Sequence, residues 1–379
     1  MSDDPIELLK RLVSINSVNP DLVPGGVGEA AIADFCGQWL AERGFEVHRV
    51  EEHAGRPSIV GIARGVGGGR SLMFNGHIDT VSIGSYDGDA LDPVVRDGRL
   101  YGRGSFDMKG GVAAMMVAAA RARARGVGGD ILVACVADEE YASFGTAEVA
   151  ARFRADAAIV TEPSHLELTV AHRGFVWFDV TVHGRAAHGS RPELGIDAIA
   201  KAGKFLVALE AYDRRLRAHP SHALLKSGSV HASLIRGGEE ISSYPAECRI
   251  SLERRTIPGE TPETVAAELQ AIIDGIAAVD PDFRASLSTG LSRPPFEVAE
   301  TEPVVAALDK AAASRLGHAP VRRGEPFWID CAILQGAGIP CVMFGADGGG
   351  AHAATEWTDI RSVETLADIL TEAAITFCA

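Results

Sequence analysis

Three apolar runs of strand length in the first half of the chain each end on residues able to bind protons or metals. SLMFNG (71–76) is followed by His77 and Asp79, ILVACVA (131–137) by Asp138, Glu139 and Glu140, and AAIV (157–160) by Glu162. Between the first two lies KGGVAAMMVAAARARARG, which predicts a helix ending at Gly126. From Glu29, EAAIADFCGQWLAERGF has apolar residues at helical spacing and predicts another, stopping at Gly44. Alternation of this kind predicts an α/β domain, with a mostly parallel central sheet flanked by helices. In such a sheet, sites form in the crevice outside the carboxyl ends of the strands. The histidine and the acids should therefore gather at one edge. His352 should join them, lying past the predicted strand PCVMFG (340–345) and the loop GADGGGA. So should Asp107, placed to open a helix beginning at Met108.

After residue 172 the pattern changes. FVWFDVTVHG (175–184) and CRISLERRTIP (248–258) alternate apolar and polar residues, as half-exposed strands do. GIDAIAKAGKFLVALEAYD (195–213) and PETVAAELQAIIDGIAAV (262–279) read as helices, and FRASLST (283–289) as one more strand. This predicts a small α+β domain with an antiparallel sheet, helices on one face, over 173–292. The α/β pattern then resumes with a helix at 303–316 and a last one at 362–377. The second domain is thus inserted into a first made of 1–172 and 293–379.

A chain of 379 residues has room for two domains. Its net charge of −15 argues against nucleic acid and anionic membrane as partners, since both need a basic face. Six cysteines without a CxxC do not form a disulfide framework, and the acidic start MSDDPIELLK lacks the apolar core of a signal peptide. With no run of about 18 apolar residues for a membrane span, the expected location is cytoplasmic.

Each polar residue also has a plain structural reading. Asp107 could be an N-cap, Glu139 and Glu140 a solvated pair, His77 a core histidine and His352 a surface one. Together they support more. Carboxylates crowded at one edge repel unless cations are present, and mixed imidazole and carboxylate donors suit zinc, with cobalt or manganese as alternatives. His77, Asp107, Glu140, Glu162 and His352 supply five ligands, and one bridging carboxylate, for which Asp107 is the candidate, makes six contacts to two ions. Asp79 lies on the same side of an extended segment as His77, where a carboxylate can fix the imidazole tautomer. Glu139, adjoining Glu140 but facing another way, is the general-base candidate.

These motifs resemble one family. GHIDTV, GRGSFDMKGG, ADEEYASFGT, TEPS and FGADGGGAHAATEW, in this order, look like the M20 metallopeptidases, a family that includes acetylornithine deacetylase, succinyl-diaminopimelate desuccinylase and glutamate carboxypeptidase. The resemblance implies a zinc-exopeptidase-like fold with a lid and dimerisation domain. It implies one metal on His77, Asp107 and Glu162, the other on Asp107, Glu140 and His352, with Glu139 as base and Asp79 orienting His77. In HGRAAHGSRPELG (183–195), His188 matches the residue that reaches a partner subunit's site to stabilise the oxyanion. In ERRTIPGE (253–260), Arg255 matches a substrate-carboxylate arginine, though Arg254 or Arg255 could instead be a solvated strand residue. Gly349 is carried over with them as a substrate-binding position. One departure stands out: where many relatives have asparagine, GGEEISSYPAE has Ser242.

The expected activity is hydrolysis of an N-acyl amino acid by a di-zinc deacylase of the acetylornithine deacetylase type, with a homodimer formed through the lid. A carboxypeptidase or dipeptidase acting on short peptides is the alternative, since fold and metals do not set the substrate. A non-catalytic binding homologue would be expected to have lost the base or a ligand. A nucleotide-dependent enzyme is disfavoured because the glycines of GVGGGR (65–70) precede a strand instead of following one.

Overall fold

The computed structural model describes residues 3–379. The chain divides into two compact units. One comprises the chain up to Val170 together with Val298–Arg323 and Ile329–Ala379; the other is Ala171–Glu297 with Gly324–Trp328. The sequence set the boundaries at 172/173 and 292/293 and left 324–328 in the first domain.

The first unit is built on a mixed sheet. Its strands run in the spatial order Glu46–Val50, Ser58–Ala63, Ile131–Val136, Leu72–His77, Ala157–Val160, Cys341–Met343 and Leu168–His172. The middle four are parallel to one another. The strands on either side are antiparallel to their neighbours, so parallel pairing is narrower than the sequence suggested. For the outermost pair, 46–50 with 58–63, the reason is connection length: the short 51–57 link can only reverse the chain, whereas a parallel pair needs a crossover of about a dozen residues or more. The middle strands are buried along their whole length, as apolar runs covered on both faces must be.

The helix Gly110–Ala124 is apolar and buried all round from Gly110 to Ala119, turns basic only in its last turn at Arg121 and Arg123, and packs against Ile360–Phe377. Two glycines bring backbone up to the end of strand 157–160. A Cβ on Gly111 would stand 2.0 Å from the Thr161 carbonyl oxygen, and one on Gly345 would stand 1.9 Å from that of Glu162. Only glycine permits either approach.

The second unit is a four-stranded antiparallel sheet in the order Ser229–Gly237, Glu247–Thr256, Gly174–His183, Arg284–Arg293. Alternate residues Val176, Phe178, Val180 and Val182 pack with Phe205 and Leu269 of the helices Ala198–Ala218 and Pro262–Val279, leaving the other sheet face open. Among the described residues no helix is long and apolar enough to cross a membrane.

Candidate metal centre

All the candidate ligands lie in the first unit, at the carboxyl ends of its parallel strands. His77 is the last residue of strand 72–77 rather than the first beyond it. Its Nδ1 stands 3.1 Å from the Asp79 carbonyl oxygen. A carbonyl can only accept, so Nδ1 carries a proton and Nε2 is left to face the neighbouring carboxylates. That Nε2 lies 3.2 Å from Asp107 Oδ1 and 3.3 Å from Glu162 Oε1. His352 Nε2 lies 3.3 Å from Asp107 Oδ2 and 3.0 Å from Glu140 Oε2. Asp107 therefore turns one carboxylate oxygen toward each imidazole. Donor atoms of His77, Asp107 and Glu140 all come within 4.8 Å of one another, as do those of His77, Glu139 and Glu162.

Asp107 does not open a helix. It sits in an irregular turn, Ser105–Lys109, where Asp107 (φ −113°, ψ 95°) and Met108 are non-helical, and the α-helix begins at Gly110. Its carboxylate caps nothing and is free for the two imidazoles.

The electrostatics describe a site short of positive charge. Burial pushes the Glu139 and Glu162 carboxyls well up, and neighbouring carboxylates push them further. Burial and then the charge of Asp107 raise Glu140 to about 7. Burial would lower His77, but the charge of Glu162 and bonds to Asp107 and Asp79 hold it well above its usual value. Hydrogen bonds to Asp107 and Glu140 raise His352 to about 10. Two imidazoles face the carboxylates of Asp107, Glu139, Glu140 and Glu162 here. Hard and borderline divalent cations suit this donor set.

The role of Asp79 is wider than the sequence implied. Its carboxylate is 3.5 Å from His77 Nδ1, farther than the Asp79 carbonyl oxygen. Instead it accepts the backbone N–H groups of Glu139 and Glu140, both at 3.2 Å, and the Asn19 amide at 2.8 Å. It thus positions the turn carrying the base candidate and a ligand candidate. Asn19 also donates to Asp138 at 2.9 Å, and Asp138 accepts from Arg56 at 3.0 Å.

Glu356 has a function that sequence reasoning missed. Its buried carboxylate accepts the N–H groups of Gly104, Phe106 and Asp107, each at 3.0 Å, and Arg103 Nη1 at 2.9 Å. Arg103 also donates to the carbonyls of Ser82 and Ala353. One buried ion pair thus ties together the turns that carry Asp107 and His352. The only sequence signal was an acid beside Trp357, which looks the same buried or exposed. Asp330 was missed too: its carboxyl, raised to about 6 by burial, accepts from Thr146 at 2.5 Å.

The remaining candidates fall elsewhere. Gly349 packs against Trp357, whose ring a Cβ would meet at 3.3 Å. His188 and Ser242 lie side by side in the second unit, where Gly189 N donates to Ser242 O at 2.7 Å and Tyr244 N to Ala187 O at 2.9 Å. Arg255 lies on the open sheet face with Nε bonded to Glu253 at 2.7 Å. Arg254 is fully buried, bonded to Glu260 at 2.5 Å and to the Tyr212 hydroxyl, so it cannot meet a ligand.

Residues 73–376 match peptidase family M20/M25/M40. The chain is 27% identical to an N-formyl-4-amino-5-aminomethyl-2-methylpyrimidine deformylase of Bacillus subtilis, covering 100% of this chain and 95% of that protein. It is 29% identical to an acetylornithine deacetylase of Myxococcus xanthus, over 92% of each. Its fold matches the crystal structure of aminopeptidase PepT from Bacillus cereus with a TM-score of 0.83 at 19% identity, covering 100% of this chain and 99% of that one.

Proposed function

The chain belongs to peptidase family M20/M25/M40, whose members hydrolyse amide bonds, and from that premise we propose a di-metal deacylase acting on N-acyl amino acids. The observation that carries this reading is Asp107, with its two oxygens shared between His77 and His352. We assign His77, Asp107 and Glu162 to one zinc and Asp107, Glu140 and His352 to the other, with cobalt or manganese as substitutes. Such ions, when bound, would bring the pKa of a shared water toward neutrality and polarise the substrate carbonyl.

The protein groups do the rest. Glu139 takes the proton of the attacking water and returns it to the nitrogen of the leaving amine as the C–N bond breaks. Asp79 holds Glu139 by its backbone. His188 stabilises the oxyanion, and its hydrogen bonding suits this: Ser190 N–H donates to Nδ1 at 3.2 Å, which leaves Nε2 to carry the proton and donate. Arg255 receives the substrate carboxylate, with Ser242 and Gly349 as further contacts.

In this reading the first unit is catalytic and the second is a lid through which two chains pair. Support for pairing comes from strand 229–237, an edge strand with Leu234 and Ile235 exposed. Beside it, Ile199, Gly203 and Val207 form an outward stripe on helix 198–218, and a Cβ on Gly203 would touch nothing. The six buried cysteines are free thiols, which supports the cytoplasm as the compartment. Cleavage of short peptides is the second reading, favoured by the match to an aminopeptidase fold.

The test is Glu139→Gln. Metal content should match the parent while hydrolysis disappears; full residual turnover would remove Glu139 as the base. A screen of N-acetyl, N-succinyl and N-formyl amino acids against dipeptides, with zinc and cobalt each supplied, separates deacylase from peptidase. Mixing His188→Ala with Glu139→Gln protein tests the dimer: subunit exchange should restore part of the activity if His188 acts across it.

A further inference from the structure

A second cluster of buried carboxylates adjoins the metal centre, within the same unit. Glu29, Asp79 and Asp138 are each fully buried. Among the described residues Arg56, itself only 7% exposed, is the one cation that ion-pairs with Glu29 and Asp138. Each of its three nitrogens is engaged. Nε and Nη2 take both oxygens of Glu29, at 2.5 and 2.6 Å, in the bidentate manner that a guanidinium allows. Nη1 pairs with Asp21, and Nη2 also reaches Asp138 Oδ1 at 3.0 Å. The ring of Phe144 lies 5.2 Å from the guanidinium carbon.

This cluster carries the turn on which Glu139 stands. Asp138 immediately precedes Glu139 and has a left-handed backbone (φ 67°), which aspartate adopts more readily than most residues but still at a cost. Its own groups lock that bend. The Asp138 carbonyl accepts Ser143 N–H at 2.6 Å, and Oδ2 accepts Ala142 N–H at 3.2 Å. The other oxygen, Oδ1, is held by Arg56 and Asn19. The Asn19 amide spans from Asp138 Oδ1 to Asp79 Oδ2, and Asp79 takes the N–H of Glu139. Asp79 and Asp138 therefore share one neutral donor and repel each other across it. An amide carries no charge to offset that repulsion, whereas the guanidinium on Asp138 does. Without it the two carboxylates would move apart, and the bonds from Glu139 and Glu140 N–H to Asp79, both already 3.2 Å, would lengthen.

We propose that Arg56 is a positioning residue for hydrolysis: by fixing Asp138 beside Asp79, it aims the Glu139 carboxylate at the attacking water. This rests on the reading of Glu139 as the base. A base acts only within hydrogen-bond reach of the proton it takes, so a small tilt of its turn costs rate without removing a contact to substrate. Lysine is no substitute for Arg56, because a compact ammonium lacks the planar fork that serves Glu29 and Asp138 together.

The experiment compares kcat and KM of zinc-loaded Arg56→Lys with those of the parent, well below both melting temperatures. The probe is whichever N-acetyl amino acid or dipeptide the parent hydrolyses fastest. Zinc content should stay near parental, kcat should fall about 10–100-fold, and KM should stay within about twofold. An arginine that only stabilises the fold would lower the melting temperature and leave kcat of the folded protein unchanged. That result would overturn the proposal, as would a loss carried wholly by KM or by zinc. Asp138→Asn covers the case in which Arg56→Lys does not fold, since Arg56 keeps Glu29 and Asp21. Asparagine has one acceptor oxygen where Asp138 uses two, so kcat should fall there as well; a parental kcat again overturns the proposal. The two readings fail separately. Full turnover by Glu139→Gln removes the base. An inactive Glu139→Gln beside a fully active Arg56→Lys keeps the base and removes Arg56 as its positioning residue.

Discussion

Glu356→Gln is the substitution most informative about how the metal centre is held. Glutamine matches glutamate in size, so a surface site would tolerate it. Here Oε1 accepts from Phe106 N and Asp107 N, and Oε2 from Gly104 N and Arg103 Nη1. The amide has one acceptor oxygen where the carboxylate has two. Either orientation turns an NH2 group onto two donors. Arg103, only 1% exposed, also loses its counter-ion. Removing one partner of a buried ion pair costs about 3–5 kcal/mol. For a unit of this size each kcal/mol moves the melting temperature by roughly 2–4 °C, so calorimetry should show a fall of at least about 6 °C. The Asp107 N–H is among those released, so metal affinity, measured by competition with a chromophoric chelator, should fall about 10–100-fold. Pairing Glu356→Met with Arg103→Met should recover part of the stability, since no buried charge is then left alone. It should not recover the metal affinity, because the turn's N–H groups stay unpaired. A Glu356→Gln protein that melts with the parent and holds metal equally would refute this account of the brace.

Other outcomes follow from the same geometry. His77→Ala should lose bound metal by elemental analysis, whereas Asp79→Asn should keep most of it and lose rate by about 10–100-fold, because Asp79 holds the Glu139–Glu140 turn. Asn19→Ala removes bonds to two buried carboxylates and should cost about 3 kcal/mol in denaturant unfolding. The metal-free protein should lose stability as pH rises. His352, raised to about 10 from 6.5 by Asp107 and Glu140, stabilises fully below pH 6.5 and not above about 10. Glu140, raised to about 7 from 4.5 by burial and Asp107, adds a loss in the same direction between those values. Metal binding must displace these protons, so affinity should rise over the same range, with proton release visible in calorimetry across buffers of different ionisation enthalpy.

Much of this protein is legible in its sequence. Periodicity and end signals act over a few residues, so the helices Pro262–Val279 and Pro303–Leu316 and the strand Ala157–Val160 fall where the sequence put them. The polar residues at the strand ends also identify the donor chemistry of the centre. Tertiary structure alone decided the rest. It set strands 58–63 and 168–172 antiparallel to their inner neighbours, moved Asp107 from a helix start into an irregular turn, and buried Arg254 while leaving Arg255 on the open face. It turned Asp79 toward the backbone of Glu139 and Glu140 and made Glu356 a brace. The physical reason is range. Glu356 meets Arg103 across 253 positions and Asn19 meets Asp138 across 119. Whether an acid is solvated or buried against a partner depends on which distant segment folds over it, and no local pattern carries that information.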